Sequence, residues 1–207
     1  MKEKQPSDQL KRPVYDQLAE RYDRAMQPLE RLCLARWRAA ALRELPAVGR
    51  LLEVGAGTGL NFRHYPPNAR GAAVELSFEM LRRAHWKTER PADVALVQAR
   101  AESLPFADDS FDAALATLVF CSVASPPMAF AELRRVVRAG GRIVLLEHVR
   151  PDNLLAPLFD CLNFFTARLF EDHFNRRTAL EATTAGLRVL RVERHLLGCV
   201  QLIVCEV

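Results

Sequence analysis

Three glycines at alternate positions are the strongest indication of chemical function in this sequence. Gly55, Gly57 and Gly59 follow a short apolar run over residues 51–54. Glycine accepts a positive φ and carries no Cβ, so a strand that ends in such a turn lets its backbone approach a ligand closely. Glu75 follows Gly55 by twenty residues, at the end of a second apolar run, where a carboxylate can accept both hydroxyls of a ribose. Together the two signals predict a nucleoside-type cofactor on an α/β sheet.

The spacing of the glycines separates two kinds of nucleoside cofactor. A dinucleotide-binding turn has the pattern G-x-G-x-x-G, whereas here the third glycine comes one residue early and Leu60 takes its place. Glu53, just before the turn, would repel a pyrophosphate but favour a cationic sulfonium or an α-amino group. Residues 50–59 therefore resemble motif I of the class I S-adenosylmethionine (SAM)-dependent methyltransferases. Two alternatives stay open: a nicotinamide (NAD)-dependent oxidoreductase, which Leu60 and Glu53 disfavour, and a SAM- or nucleoside-binding protein without turnover.

Strand-like and helical patterns alternate after residue 50, which predicts the scaffold that carries this turn. Strand-like runs lie near residues 50–54, 71–75, 94–98, 112–117 and 142–147, and a final strand pair near 187–193 and 199–206. Helical stretches lie near residues 59–64, 77–87 and 127–138. Alternation of this kind implies a parallel sheet with right-handed crossovers. Because we find neither an internal repeat nor a linker, we predict a single domain.

Two helices are predicted before the first strand, over residues 8–24 and 28–45. Pro28 suits the start of the second helix. The buried face of that helix is marked by an apolar stripe at helical spacing, made of Leu29, Cys33, Trp37, Ala41 and Leu45. The net charge of +4 belongs to this part of the chain, because residues 1–50 hold 11 Lys/Arg against 7 Asp/Glu, and residues 51–207 hold 18 of each. A basic helical arm is compatible with an anionic membrane surface, although a solvated helical face explains the charge more simply.

The segment over residues 151–176 does not fit the alternation of strands and helices. It carries an apolar stripe formed by Leu154, Leu158, Leu162, Phe165 and Leu169. A helix with such a stripe usually packs on its own core. The alternative is a lid, or a surface that lies on a membrane, over the acceptor site.

Composition disfavours several classes of protein. The five cysteines are scattered, without C-x-x-C and without a His/Cys cluster at metal-ligand spacing, so we expect buried thiols and no metal site. We see no signal-peptide pattern and no apolar run of the roughly 18 residues that a membrane span needs. We therefore expect a cytoplasmic protein, with peripheral binding at the inner membrane face as an option. Nucleic acid is disfavoured because the basic residues are interleaved with acids and lack an aromatic stacking motif. The oligomeric state stays open.

Further stretches extend the resemblance to methyltransferases over most of the chain. Glu75 corresponds to the acid of motif II. Residues 101–112 resemble the stretch that links the third and fourth strands of the ubiquinone/menaquinone-type methyltransferases. Residues 133–145 resemble their L-x-R-V-L-x-P-G-G stretch, and residues 15–23 resemble their opening helix. The combination of these motifs is specific for SAM as cofactor, with S-adenosylhomocysteine as product.

Within that superfamily, residues 61–67, and residues 117–123 together with 146–149, are similar to the methyltransferase-like thiol and phospholipid methyltransferases. The resemblance implies an α/β, Rossmann-like sheet of seven mostly parallel strands, with helices on both faces, an antiparallel last strand and additional N-terminal helices. It divides the single domain into a helical cover over 1–49, a SAM-binding core over 50–150, an amphipathic lid over 151–176, and a C-terminal helix and strand pair over 177–207.

The resemblance also implies a set of residues around SAM. These are Glu53, Gly55, Ala56, Gly57, Thr58, Gly59, Asn61, Glu75, Leu76, Met80, Ala101, Glu102, Thr117 and Leu118. One position departs from the family, because Arg100 stands where an Asp usually accepts a hydrogen bond from adenine, and Arg cannot accept one. We expect adenine to be held by the backbone near Ala101 and Glu102, or by the Glu102 side chain.

Residues after the fourth and fifth strands are the candidates for handling the acceptor, because ligands of such sheets bind beyond the carboxyl ends of the strands. His148 is the preferred base, since its unperturbed pKa lies near neutrality, with Glu147 and Tyr22 as further catalytic candidates. Acceptor-binding candidates are Tyr15, Cys121, His173, Asn175 and Arg176. The expected acceptor is a small lipophilic or amphipathic molecule: a phospholipid amine, a quinone-type ring or a thiol.

Overall fold

The part of the chain that the structure describes contains seven strands and five α-helices. This computed structural model describes residues 8–47, 49–151, 173 and 175–207. The strands are β1 (Arg50–Val54), β2 (Arg70–Glu75), β3 (Val94–Gln98), β4 (Phe111–Thr117), β5 (Val137–His148), β6 (Arg188–His195) and β7 (Val200–Glu206). The helices are α1 (Asp8–Leu29), α2 (Ala35–Arg43), α3 (Phe78–His85), α4 (Pro126–Val136) and α5 (Thr178–Thr184).

The strands form one sheet in the order β3-β2-β1-β4-β5-β7-β6. β1 pairs in parallel with both β2 and β4, while β7 runs antiparallel between β5 and β6. The predicted sheet of seven mostly parallel strands with an antiparallel last strand is therefore confirmed. The chain leaves β1 toward β2 on one side and returns to β4 on the other, so the loops after β1 and β4 diverge at the carboxyl edge.

Alternate residues of the central strands enter two separate hydrophobic cores, one on each face of the sheet. Val144 and Leu146 of β5 belong to a core that also contains Trp37 and other residues of α2. Ile143 and Leu145 of the same strand belong to a core that also contains Phe130 and other residues of α4. Because both faces are covered, the central strands are apolar throughout, as is typical of parallel sheets.

The N-terminal helices differ from the sequence-based prediction. Pro28 does not start a second helix, because α1 continues through it to Leu29 and joins α2 through a π-helical turn over Glu30–Leu34. Proline lacks the N–H that the preceding turn would use, and the π turn begins two residues after it, within an otherwise continuous helix. The extra residue of that turn rotates the buried face. Leu29 is therefore 47% exposed, contrary to the predicted stripe.

The predicted helix over residues 59–64 is also wrong. The segment forms a turn followed by one 3-10 turn over Phe62–His64. Gly59 has φ of +81°, which no right-handed helix contains, and Pro66 and Pro67 follow closely. These features stop an α-helix from forming.

The predicted amphipathic segment over 151–176 lies outside the described residues, apart from Pro151, His173, Asn175 and Arg176. Among the described helices, none combines the length and apolar character needed to cross a membrane.

Candidate active site

A cavity opens at the carboxyl edge of the sheet, where the loops after β1 and β4 diverge. It comprises about 1060 Å³ of space between protein atoms, part of it open to solvent. The residues that line it follow β1, β2, β3 and β4 or come from the N-terminal helices; they are Tyr15, Tyr22, Arg38, Val54–Thr58, Leu60, Val74–Leu76, Met80, Ala99–Glu102, Thr117–Val119 and Ser122–Ala124. A switch point of this kind is where open α/β sheets bind their ligands.

The glycine turn forms the floor of the cavity. Gly55 has φ of +71° and Gly57 has φ of +56°. A Cβ added at Gly55 would overlap the methyl groups of Val119, so this glycine is required by the packing of the loop after β4. A Cβ added at Gly57 would meet no protein atom within 4 Å. Gly57, which lines the cavity, therefore leaves open space in which a ligand can approach its backbone.

Glu75 lies next to this open space. Its carboxylate accepts hydrogen bonds from the backbone N–H of Gly57 at 2.9 Å and of Ser77 at 2.8 Å. Burial raises the pKa of Glu75, an effect that these two hydrogen bonds oppose. Since each carboxylate oxygen has two acceptor positions, the fixed side chain can accept further hydrogen bonds from a ligand.

Helix α1 covers the cavity through a repeated Tyr-Asp pair. Tyr15 and Tyr22 line the cavity, and the seven-residue spacing places them two turns apart on one face of the helix. The carboxylate of Asp16 accepts a hydrogen bond from the hydroxyl of Ser77 after β2. Asp23 accepts a hydrogen bond from the hydroxyl of Thr58 in the glycine turn. The two carboxylates thus attach the helix to the two loops that form the floor.

Tyr22 was predicted as a catalytic residue. Burial raises the pKa of Tyr22 to about 12. Its hydroxyl therefore stays protonated at neutral pH and acts as a hydrogen-bond donor rather than as a base.

Glu53 does not line the cavity, contrary to the expectation that it faces the cofactor's amino group. Its carboxylate is completely buried and accepts hydrogen bonds from the Asn61 amide at 2.7 Å and from the Tyr65 hydroxyl. Burial raises the pKa of Glu53 to about 7, while these hydrogen bonds lower it. Asn61, which also does not line the cavity, accepts a hydrogen bond from Arg38 Nη1 at 3.1 Å. Glu53 therefore lies at the buried end of a hydrogen-bond network that reaches the cavity through Arg38 and through Thr117, whose hydroxyl oxygen accepts from the Asn61 amide at 2.9 Å.

Arg100, which stands where the family usually has Asp, lines the cavity together with Ala101 and Glu102. Glu102 Oε1 accepts hydrogen bonds from the backbone N–H of Ala124 at 2.9 Å and of Ser125 at 3.2 Å. Glu102 thus holds the loop that enters α4.

Glu147 and His148 do not line the cavity. The carboxylate of Glu147 is completely buried and accepts hydrogen bonds from the backbone N–H of Val119 at 3.0 and 3.1 Å and of Phe120 at 3.2 Å. Burial raises its pKa to about 8. Burial likewise lowers the pKa of His148. The placement of Glu147 corresponds to a structural role, because it fixes the loop whose Val119 packs on the glycine turn.

The acceptor candidates are only partly brought together. Tyr15 lines the cavity, whereas Cys121 is buried beside it and its carbonyl accepts a hydrogen bond from the His173 N–H at 2.8 Å. Arg176 Nη2 donates to the carbonyl of Val123, a cavity-lining residue, at 3.0 Å. Asn175 is exposed. His173 and Arg176 therefore flank the loop that borders the cavity.

Arg38 is the functional candidate that the sequence reasoning missed. Its side chain is only 4% exposed, yet it lines the cavity. A signal was available, because Arg38 stands four residues after Leu34 and four before Leu42, both of which are buried. A charge on the apolar face of a helix needs a partner.

Among the described residues, no group of His, Cys, Asp or Glu is arranged to hold a metal ion.

A cavity at a switch point, with a glycine turn below it and a carboxylate at the end of the next strand, defines a nucleoside-cofactor-binding α/β protein. Comparison with known proteins gives the family. Residues 52–145 match the methyltransferase domain family. The chain is 33% identical over 150 residues to a phosphatidylethanolamine N-methyltransferase from Cereibacter sphaeroides, covering 70% of this chain and 72% of that protein. The chain therefore belongs to the SAM-dependent methyltransferases, and SAM is its cofactor.

Other relatives are covered less completely. The chain is 40% identical over 158 residues to the ubiquinone/menaquinone biosynthesis C-methyltransferase UbiE of Syntrophotalea carbinolica, covering 72% of this chain and 66% of that protein. It is 40% identical over 108 residues to the human thiol S-methyltransferase TMT1B, covering 48% of this chain and 42% of that protein. The fold matches a SAM-dependent methyltransferase structure from Thermotoga maritima with a TM-score of 0.73 at 22% identity, covering 94% of this chain and 98% of that one.

The different surroundings of two glycines give a prediction. Gly57→Ala should weaken the binding of S-adenosylhomocysteine about tenfold or more, because the new methyl group would enter space that we assign to the ligand. Its cost in folding free energy should stay near the 1–2 kcal/mol of a left-handed residue. Gly55→Ala should destabilise the fold further, because its methyl group would also overlap Val119. Isothermal titration and urea denaturation of both variants test this; unchanged binding in Gly57→Ala would contradict the placement.

The buried carboxylate of Glu147 predicts a pH dependence of stability. Because its pKa in the folded protein is raised to about 8, the folded state holds this proton more tightly than the unfolded chain does. The free energy of unfolding should therefore fall as pH rises from about 5 to about 8. Glu147→Gln should reduce that slope, whereas Glu79→Gln, at a partly exposed carboxylate, should keep it. Urea denaturation across this pH range measures the slopes; identical slopes in wild type and Glu147→Gln would refute the assignment.

Proposed function

We propose that this protein transfers the methyl group of SAM to a small lipophilic or amphipathic acceptor. The observation that carries the proposal is the juxtaposition of Gly57 and Glu75 on the floor of a cavity that Tyr15 and Tyr22 cover. The floor fits the nucleoside part of SAM, and Tyr15, Tyr22, Leu118 and Val119 offer apolar contacts in the lining for an acceptor. The similarity to a ubiquinone/menaquinone biosynthesis C-methyltransferase, a phosphatidylethanolamine N-methyltransferase and a thiol S-methyltransferase also supports this acceptor class.

The residues around the cavity suit SAM from one end to the other. We assign the ribose hydroxyls to Glu75, the adenosine rings to the apolar side chains of Leu76 and Met80, and the adenine edge to the backbone near Ala101. SAM supplies the methyl group on a sulfonium that is its own leaving group. Gly57 lets the backbone approach the cofactor, and Thr117 lies toward its methionine end.

The chain's contribution to the chemistry is orientation and the exclusion of water. No histidine or lysine lines the cavity among the described residues, and Tyr22 is protonated at neutral pH. The two carboxylates among the described lining residues, Glu75 and Glu102, both accept hydrogen bonds from backbone N–H groups. This arrangement favours an acceptor whose nucleophile needs little help from a base, such as a thiolate or an activated ring carbon, or an amine that arrives unprotonated. Alignment of acceptor and methyl group can supply a large share of the rate enhancement. The predicted catalytic roles of His148 and Glu147 have no support from their positions.

We also propose that the edge of the sheet that carries the cavity meets an anionic lipid surface. The hairpin tip between β6 and β7 exposes Leu196 by 59% and Leu197 by 76%. The tip lies at the same edge, because Val200 pairs with both His195 and His148, the last residues of β6 and β5. Leu32 is 79% exposed on the N-terminal helix, whose Trp37 stacks on His195 at 4.8 Å.

Backbone strain and charge add to the argument for this surface. Leu196 has φ of +46° and Leu197 has φ of +56°, conformations that cost about 1–2 kcal/mol each in non-glycine residues. Because the strained conformations occur at leucines whose side chains are exposed, we infer that these side chains have a function. Exposed Arg31 and Arg194 lie near them in sequence, and the chain carries a net charge of +4. Apolar insertion with basic flanks is the chemistry of peripheral binding to anionic lipid.

The cofactor assignment predicts the effect of two substitutions. Glu75→Ala should weaken SAM binding by about 1.5–3 kcal/mol, the range for hydrogen bonds to a charged group. Glu75→Gln, which keeps one acceptor oxygen, should weaken it less, and Glu79→Ala should not change it. Titration with SAM, S-adenosylhomocysteine and NAD measures these effects. Unchanged SAM affinity in Glu75→Ala, or a preference for NAD, would overturn the assignment. A labelled methyl transfer assay across phosphatidylethanolamine, quinols and alkyl thiols then tests turnover and the acceptor.

The lipid-facing edge predicts an unusual pair of effects. Replacing Leu196 by Asn and Leu197 by Gly should stabilise the fold, because these residues accept a positive φ, and should weaken binding to phosphatidylglycerol-containing vesicles. Leu190→Ser, on β6 about 20 Å along the strand from the tip, should leave vesicle binding unchanged. Vesicle sedimentation at low and high salt, with thermal unfolding, measures both effects. Equal vesicle binding of the double variant and the wild type would exclude the tip as the lipid contact.

A further inference from the structure

The buried side chain of Arg38 connects the interior of the protein with the cavity. Its Nε donates to Glu30 Oε1 at 2.9 Å, and the side chain of Glu30 is 15% exposed. Its Nη1 donates to Thr117 Oγ1 at 2.6 Å and to Asn61 Oδ1 at 3.1 Å. Taking a guanidinium out of water is costly, so three partners from three segments indicate that this side chain is held in place for a purpose.

One edge of the guanidinium is left for a ligand. No described residue accepts a hydrogen bond from Nη2, although Arg38 lines the cavity. Of the two acids in the network, Glu30 accepts from Nε and Glu53 is bonded to Asn61 and Tyr65. An arginine fixed on two of its nitrogens presents the third in a defined direction, and guanidinium is suited to bind carboxylates.

The position of Arg38 in the fold indicates which group of the ligand it contacts. Thr117 is the last residue of β4, next to β1 in the sheet, whereas Glu75, Leu76 and Met80 follow β2 on the other side of β1. With adenosine placed over β2, the amino-acid tail of SAM extends toward β4, where Arg38 contacts Thr117. We infer that Arg38 binds the α-carboxylate of the methionine moiety of SAM and of S-adenosylhomocysteine.

This inference rests on the proposed function and gives each partner of Arg38 a role. Glu30 offsets the buried charge, and Thr117 and Asn61 set the orientation of the guanidinium plane. Glu53, which accepts a hydrogen bond from the Tyr65 hydroxyl, in turn fixes the Asn61 amide, so that the amide oxygen faces Arg38. Glu53 and Asn61, which do not line the cavity, therefore act on the cofactor as positioning residues through Arg38.

A ligand pair tests the inference without relying on activity. S-adenosylhomocysteine carries the carboxylate, and 5′-methylthioadenosine keeps the adenosine and the thioether without the amino-acid tail. Arg38→Met should weaken S-adenosylhomocysteine about tenfold or more, as expected for a charge-assisted hydrogen bond, and should change 5′-methylthioadenosine less than about twofold. Arg36→Met, at an exposed arginine of the same helix, is the matched control and should change neither affinity.

The methyl ester of S-adenosylhomocysteine completes a thermodynamic cycle with the substitution. Wild-type protein should bind the ester about tenfold or more weakly than the acid, and Arg38→Met should bind the two about equally. If Arg38→Met does not fold, Arg38→Lys, which keeps the charge but not the planar fork, replaces it and should show a reduced penalty. Equal ester penalties in wild type and variant, or equal losses of both ligands in Arg38→Met, would overturn the inference. A wild-type protein that binds neither ligand would instead contradict the proposed function.

Discussion

The turn after β1 is the constraint on which the rest of the site depends. It forms only where glycine permits a positive φ, and each of its residues contacts a different part of the molecule. Gly55 packs against Val119 of the loop after β4, Gly57 donates to Glu75 at the end of β2, and Thr58 donates to Asp23 of α1. One tight turn therefore sets the relative positions of the floor, the walls and the cover of the cavity.

Glutamates near the carboxyl ends of three strands hold the loops around that turn. Glu53 of β1 binds Asn61 and Tyr65, Glu75 of β2 binds the N–H groups of Gly57 and Ser77, and Glu147 of β5 binds those of Val119 and Phe120. Burial raises the pKa of all three. All three glutamates stand at or next to the last residue of a strand. Of the three, only Glu75 also lines the cavity, so only Glu75 is placed to contact a ligand.

The cover of the cavity is made by residues that are distant in sequence from its floor. The Tyr-Asp repeat of α1 directs two aromatic rings to the cavity and two carboxylates to the loops after β1 and β2. The π-helical turn after Leu29 then rotates the helix so that Trp37 and Arg38 face inward. Trp37 packs on His195 at the base of the exposed hairpin tip, and Arg38 enters the cavity. The N-terminal helices therefore link cofactor binding to the edge that we assign to lipid.

The sequence by itself determined the sheet, the glycine turn and the family, because strand periodicity, the G-x-G-x-G pattern and the spacing to Glu75 are local features that tolerate little variation. It failed at Pro28, at residues 59–64 and at Leu29, where proline, positive φ and an extra helical residue outweigh the apolar periodicity. Only the tertiary structure placed Arg38 at the cavity and Glu53 and Glu147 away from it. Whether a polar side chain at a strand end faces a cavity or a buried loop depends on which N–H groups and side chains distant segments bring next to it.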